Sequence, residues 1–217
     1  MNKFVIFDWG GVVESHEDNL KDLKQARIRM IKKYNDTLSD IKSLDEEILN
    51  KWVNKTTNNI SIGATNCESD IKDWVYLIQK NMNIDVPFEE FKRTYEKEFE
   101  SVPYYKNVVE YVHSLKKKCN IAILSNLMAF DKVRINKQYN LSKFDKVYLS
   151  FEIGMRKPNK EIYEYVQNDL EINPQDILFI DDDEDNIMAA QACGWNTCQV
   201  FGYELDKIKQ AVDNFLK

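Results

Sequence analysis

The sequence predicts an α/β fold: a doubly wound parallel sheet interrupted by an inserted helical unit. Three observations lead there. The chain opens on an apolar run that stops abruptly at an aspartate and a glycine turn, Phe4-Val5-Ile6-Phe7-Asp8-Trp9-Gly10-Gly11-Val12-Val13. From residue 102 onward, short β-rich runs alternate with helical spacing of apolar residues. Residues 15 to about 100 show several helical patterns and no convincing strand.

In chain order, the Phe4 run is the first strand. The insertion follows, with helices expected over Asp18 to Tyr34, Leu44 to Asn54, Ser69 to Met82 and Phe88 to Phe99. Ile121 to Leu124, Val147 to Leu149, Ile177 to Ile180 and Thr197 to Phe201 read as the remaining strands. Lys106 to Lys117, Glu161 to Leu170 and Asn186 to Ala192 read as the helices between them. Pro103, Pro158, Pro174 and Gly194 sit at the junctions, where chain breakers belong. The expected division is a core of residues 1–14 and 101–217, with residues 15–100 as a helical cap and its linking helix. A cap placed directly after a strand-end turn can act as a lid that excludes water and selects substrate.

Bulk properties narrow the partners. A 217-residue chain is long enough to bury a substantial core, and its 43% hydrophobic and 30% charged residues are ordinary for a folded domain. A net charge of −6 argues against nucleic acid, whose phosphate backbone is held by excess Lys and Arg. Cys67, Cys119, Cys193 and Cys198 are scattered, with only His16 and His113 beside them, so a zinc site is not expected. An aspartate at residue 8 interrupts any apolar signal-peptide core, and no apolar run approaches membrane-spanning length. A cytoplasmic protein, monomeric or homodimeric and independent of membranes, is expected.

Four polar motifs follow strands. Asp8 ends the first and could serve as nucleophile, metal ligand or both; a turn or capping aspartate is the plain alternative. Ser125-Asn126 ends the second, where a hydroxyl, an amide and the free donors of a helix start would make a neutral phosphate cradle, or merely a cap. Gly154-Met155-Arg156-Lys157-Pro158 follows the third, with Pro158 expected to start a helix and leave Lys157 on the preceding loop. That lysine would offset repulsion in a carboxylate and phosphate cluster; a solvated basic turn is the alternative. Ile180-Asp181-Asp182-Asp183-Glu184-Asp185-Asn186 ends the fourth, and such hard oxygens on a short turn suit Mg²⁺. An EF-hand-like loop fails, because Asn186 stands where glycine is needed and Ala192 where glutamate is needed. In a parallel sheet all four motifs fall at one edge and converge on one crevice.

The order of these motifs resembles the haloacid dehalogenase superfamily, with its Rossmann-like core, and specifically its phosphatases with a small helical cap. It is carried by Asp8-Trp9-Gly10-Gly11-Val12, Leu124-Ser125-Asn126, Gly154 to Pro158 with Ile162-Tyr163, and Ile180 to Asn186 with Ala189-Ala190 and Gly194. The stretch from Tyr148 to Pro158 looks most like bacterial glucose-1-phosphate phosphatases and their sugar-phosphatase relatives. The resemblance implies that Asp8 attacks phosphorus to form an aspartyl-phosphate. Ser125 and Asn126 would bind the phosphoryl oxygens and Lys157 would orient nucleophile and phosphate. Mg²⁺ would be held by Asp8, the carbonyl of Gly10 and Asp182, with Asp181 or Asn186 beside them. The implied partner is a small phosphorylated metabolite, a sugar phosphate above all.

The departure is Gly10, where most members carry an aspartate that protonates the leaving group and then activates water. Glycine keeps a backbone oxygen for metal but removes that acid and base, a loss of roughly a hundredfold to ten-thousandfold in rate. Glu14 or His16 could supply a proton, although both are expected as exposed hinge residues. Two other readings follow from the glycine: 2-haloacid dehalogenation, which needs neither a protonated leaving group nor a metal, and a catalytically silent phosphate-binding protein. The acidic run weighs against the first, since it would crowd an aspartate nucleophile with uncompensated charge.

Overall fold

The computed structural model describes residues 3–15, 72, 75–76, 79, 87–99 and 103–217. The helices expected over Asp18 to Tyr34 and Leu44 to Asn54 lie outside the described residues. Of the Ser69 to Met82 helix, Lys72, Val75, Tyr76 and Gln79 are described, and all four are helical. The helix expected over Phe88 to Phe99 forms, α1 (Phe88–Phe99).

Five strands make one parallel sheet: β1 (Phe4–Phe7), β2 (Asn120–Ser125), β3 (Lys146–Leu149), β4 (Ile177–Asp181) and β5 (Asn196–Gln199). Their order is β3-β2-β1-β4-β5. The first three strands run outward from β1 to one side and the last two to the other, so the order reverses between β1 and β4. Ligands in open α/β sheets bind at such a reversal, beyond the carboxyl ends of the strands. Asp8 follows β1 and Asp181 ends β4, and Ile6↔Phe179 and Phe7↔Ile180 are register partners.

Period-two alternation along buried strands feeds two cores. Val5, Phe7, Ile121, Ile123, Leu178 and Ile180 face one layer with Val108 and Val112 of α2 (Lys106–Ser114). Ile135 of α3 (Ala129–Gln138) joins that layer. Phe4, Ile6, Ala122, Leu124 and Phe179 face the other. There they meet Ile162, Tyr163 and Val166 of α5 (Lys160–Leu170) and Ile187 and Ala190 of α6 (Glu184–Ala192). A short helix, α4 (Ser150–Ile153), precedes the Lys157 loop.

Two sequence expectations need correction. The helix after Lys157 starts at Lys160 rather than Pro158, because a turn closed by Asn159 N–H on the Arg156 carbonyl intervenes at 3.0 Å. The Lys157–Pro158 peptide is cis. The last strand stops at Gln199, beyond which the chain bends to place Gly202 N–H 2.8 Å from the Gly11 carbonyl. A further helix, α7 (Leu205–Leu216), follows it, and its apolar stripe of Leu205, Ile208, Val212 and Phe215 packs on the α2 layer.

The chain leaves β1 and returns to the sheet along one seam. Ser15 N–H bonds the Pro103 carbonyl at 3.0 Å and Tyr105 N–H bonds the Val13 carbonyl at 3.0 Å. Residues 15 and 103 are therefore neighbours, although residues 16–102 lie between them in sequence. Among the described residues no helix is long and apolar enough to cross a membrane.

Candidate active site

The site is built on strand ends that the cores hold rigid. Asp8 N–H bonds the Ile180 carbonyl at 2.9 Å, which ties the first strand end directly to the fourth. Trp9 N–H donates to Asp8 Oδ1 at 2.6 Å, fixing the carboxylate against its own turn. The Ser125 side chain, at the end of β2, lies near enough to Asp8 to favour its ionised form. Three strands thus position one carboxylate.

Lys157 reaches into this cluster with only 1% of its surface exposed. Its Nζ lies 3.0 Å from Asp8 Oδ1 and 2.6 Å from Asp181 Oδ2. Asp181 is wholly buried; it also accepts Asn186 Nδ2 on both oxygens at 3.1 Å and Asp183 N–H at 2.8 Å. Asn186 is held in turn by the Tyr163 hydroxyl, which donates to its carbonyl at 3.0 Å. Asp183 caps α6, its side chain accepting from Asp185 N–H and Asn186 N–H.

Charge in this cluster is unbalanced. Carboxylate oxygens of Asp8, Asp181 and Asp182 lie within 4.8 Å of one another, and among the described residues the Lys157 ammonium is the cation paired with them. Burial, opposed by Lys157 and reinforced by Asp181 and Asp182, pushes the Asp8 carboxyl up to about 7; the Ser125 hydroxyl draws it back slightly. Burial would lower the Lys157 ammonium, yet Asp181 and Asp8 together hold it above its usual range. Closely spaced hard oxygens with excess negative charge fit a divalent cation such as Mg²⁺.

Gly11 makes room for this arrangement. It has a φ of +74°, and a β-carbon there would meet the Asp182 carboxyl oxygens at 2.5 Å. The Gly10-Gly11 pair is a readable turn signal, but its contact with Asp182 links residues far apart in sequence and could not be read. Gly10 is bridged in parallel to Glu14.

Structure and expectation part at three places. Asn126 sits beside the cluster, but its amide engages the Lys157 backbone: Lys157 N–H donates to Oδ1 at 2.9 Å, and Nδ2 donates to the Lys157 carbonyl at 2.9 Å. The helix-start donors expected beside it are partly occupied, Leu127 N–H by Ser150 Oγ at 3.1 Å and Met128 N–H by Asp131 at 3.1 Å. Glu14 is buried rather than exposed, because its carboxylate accepts the Trp9 indole N–H at 2.8 Å. His16 lies outside the described residues. Asp8, Ser125, Lys157, Asp181 and Asp182 do come together.

Comparison with known proteins agrees with this geometry. A family model described as haloacid dehalogenase-like hydrolase matches residues 22–200. The chain is 25% identical over 154 residues to drimenol cyclase drtB of Aspergillus calidoustus, covering 68% of this chain and 25% of that protein. It is 30% identical over 99 residues to D-ribitol-5-phosphate phosphatase of Bacteroides thetaiotaomicron, covering 42% of this chain and 48% of that one. The chain therefore spans about half the length of these curated relatives, or less. A solved HAD family enzyme of Bacteroides thetaiotaomicron superposes with a TM-score of 0.69 at 23% identity, covering 91% of this chain and 93% of that one. That enzyme has also been solved in complex with magnesium and inorganic phosphate.

Proposed function

The chain belongs to the haloacid dehalogenase-like hydrolase family, and within it we propose that the protein is a Mg²⁺-dependent phosphomonoester hydrolase acting on a small phosphorylated metabolite, a sugar phosphate. One observation carries this reading. A buried aspartate, Asp8, stands at the topological switch with the Lys157 ammonium at 3.0 Å and two further carboxylates closing the cluster. The phosphatase named among the relatives supports it.

In this reading Asp8 attacks the phosphorus, the bond to the leaving oxygen breaks, and a water then attacks the aspartyl-phosphate to release phosphate and restore Asp8. Lys157 holds nucleophile and transferring group together as a compact charge. The Ser125 hydroxyl turns from Asp8 toward a phosphoryl oxygen. Asp8, Asp182 and the Gly10 carbonyl are the proposed Mg²⁺ ligands, with Asp181 or Asn186 beside them. Bound there, the cation supplies neutralisation of charge between nucleophile and phosphate. Asp181, whose oxygens already receive Lys157, Asn186 and Asp183 N–H, chiefly orients the lysine. The insertion, residues 15–100, is proposed as the cap that excludes water and selects the leaving group.

Gly10 leaves the leaving group without its usual acid. Glu14 does not replace it in this geometry, because its carboxylate is engaged with Trp9. The site therefore favours esters that depart readily, such as a phosphate on an anomeric carbon. Halide displacement is disfavoured by Asp181 and Asp182, which would crowd the nucleophile without a cation. Assaying purified protein against a panel of phosphorylated sugars and sugar alcohols, with and without Mg²⁺, tests the proposal. Phosphate release that needs Mg²⁺ supports it; chloride release from 2-chloropropionate without metal would replace it with the dehalogenase reading.

A further inference from the structure

Lys157 lies on a loop between α4 and α5, where no helix or sheet ladder serves its peptide. A buried ammonium held between two carboxylates nevertheless needs a fixed backbone, since each unfixed rotamer and φ/ψ pair would scatter Nζ away from Asp8. Arg156 Nε donates a long hydrogen bond to the Lys157 carbonyl at 3.4 Å, and the shorter bonds come from one side chain beyond a different strand. Asn126, just past β2, accepts from Lys157 N–H and donates to the Lys157 carbonyl, both at 2.9 Å. The amide thus pairs with both polar groups of the Lys157 residue, as a neighbouring strand would.

A second clasp runs the opposite way across the same junction. Ser150, fully buried at the start of α4, accepts from Leu127 N–H and donates to the Leu127 carbonyl, each at 3.1 Å. Side chain grips backbone in both directions, so the segment after β2 and the segment after β3 are tied at two points. Lys157, which pairs with Asp8, and Ser125, which lies beside it, therefore stand on segments joined to each other.

We propose that Asn126 is a positioning residue for Lys157, acting through the lysine backbone and not by a side-chain contact to the phosphoryl group. The proposal rests on the phosphatase reading for its kinetic arm, and on the two hydrogen bonds alone for its structural arm. Misplacement of a reacting group by about 1 Å can cost on the order of a hundredfold. Asn126→Ala therefore lowers kcat roughly 10- to 100-fold while KM changes little. In a Lys157→Ala background the same substitution lowers kcat no further, because the residue it served is gone.

The experiment is this double-mutant cycle on p-nitrophenyl phosphate with Mg²⁺, joined to amide hydrogen exchange at Lys157. Exchange at the Lys157 amide is expected to accelerate at least about tenfold in Asn126→Ala beyond any change in global stability. Asn126→Asp, which keeps the acceptor and loses the donor, is expected to fold and to keep that amide protected, and serves if Asn126→Ala does not fold. Independent, multiplicative losses of kcat in the cycle would overturn the proposal, as would a rise in KM with kcat intact. Unchanged Lys157 exchange in Asn126→Ala would also overturn it. A wild-type protein without hydrolytic activity would reject the phosphatase reading instead, and the exchange result then decides the clasp alone.

Discussion

A β-carbon placed on Gly11 would stand 2.4 Å from the carboxyl carbon of Asp182. The second glycine of the first turn is therefore a packing partner of the fourth motif. Gly11→Ala faces both this collision and a left-handed φ of +74°, a strain on the order of 1–3 kcal/mol. Thermal melts should show a destabilised protein, and the extra stability conferred by Mg²⁺ should shrink because Asp182 is displaced. A variant that melts and responds to Mg²⁺ like the natural protein would show that Asp182 is not a ligand in this arrangement.

Glu14 and Trp9 form a buried pair beside the nucleophile. Glu14→Ala removes the carboxylate that accepts the indole N–H, and leaving a buried donor without its acceptor costs about 1–3 kcal/mol. Glu14→Gln keeps an acceptor oxygen and is expected to cost less. Urea denaturation distinguishes them; equal losses in the two variants would mean that the carboxylate charge, not the hydrogen bond, matters.

The Asp8 carboxyl gives a signed pH dependence. Its folded pKa of about 7 lies above the ordinary 3.8, so the metal-free fold is favoured while Asp8 is protonated. That contribution is fully present below pH 3.8 and is lost as pH rises through about 7. The metal-free protein should lose melting temperature between pH 5 and pH 8, and Asp8→Asn should flatten that slope. Mg²⁺, which competes with the proton, should stabilise more at pH 8 than at pH 6. A slope unaffected by Asp8→Asn would contradict the assignment of that carboxyl.

Gly10→Asp restores an acid where the family usually has one. Its gain should be greatest for poor leaving groups such as alkyl phosphates, up to roughly a hundredfold to ten-thousandfold, and small for p-nitrophenyl phosphate. Equal gains on both would mean that the missing acid does not limit the natural protein.

The sheet was readable because buried parallel strands are short, apolar and punctuated by Gly, Pro and Asp; Ile177 to Ile180 is one such run. Asp8, Asp181 and Lys157 were readable because topology alone brings strand ends to one edge. What sequence could not supply was direction within that edge. Asn126 reads as a phosphate donor by position, yet its partners are on a loop 31 residues away. Glu14 reads as exposed by residue type, yet the Trp9 indole draws it inward. Gly11 reads as a turn, and only folding shows that Asp182 needs its empty side-chain position. In each case the deciding contact is made by tertiary structure, which periodicity does not encode.

Phosphate release from an activated phosphomonoester by the natural protein and by Asp8→Asn tests Asp8 as the nucleophile. Asn retains an acceptor for Trp9 N–H, so the turn is expected to survive while the nucleophile is lost. Mg²⁺-dependent hydrolysis is expected of the natural protein, and none above background of a folded Asp8→Asn. Hydrolysis that persists in Asp8→Asn, or a natural protein that binds phosphate with Mg²⁺ and turns nothing over, would contradict it.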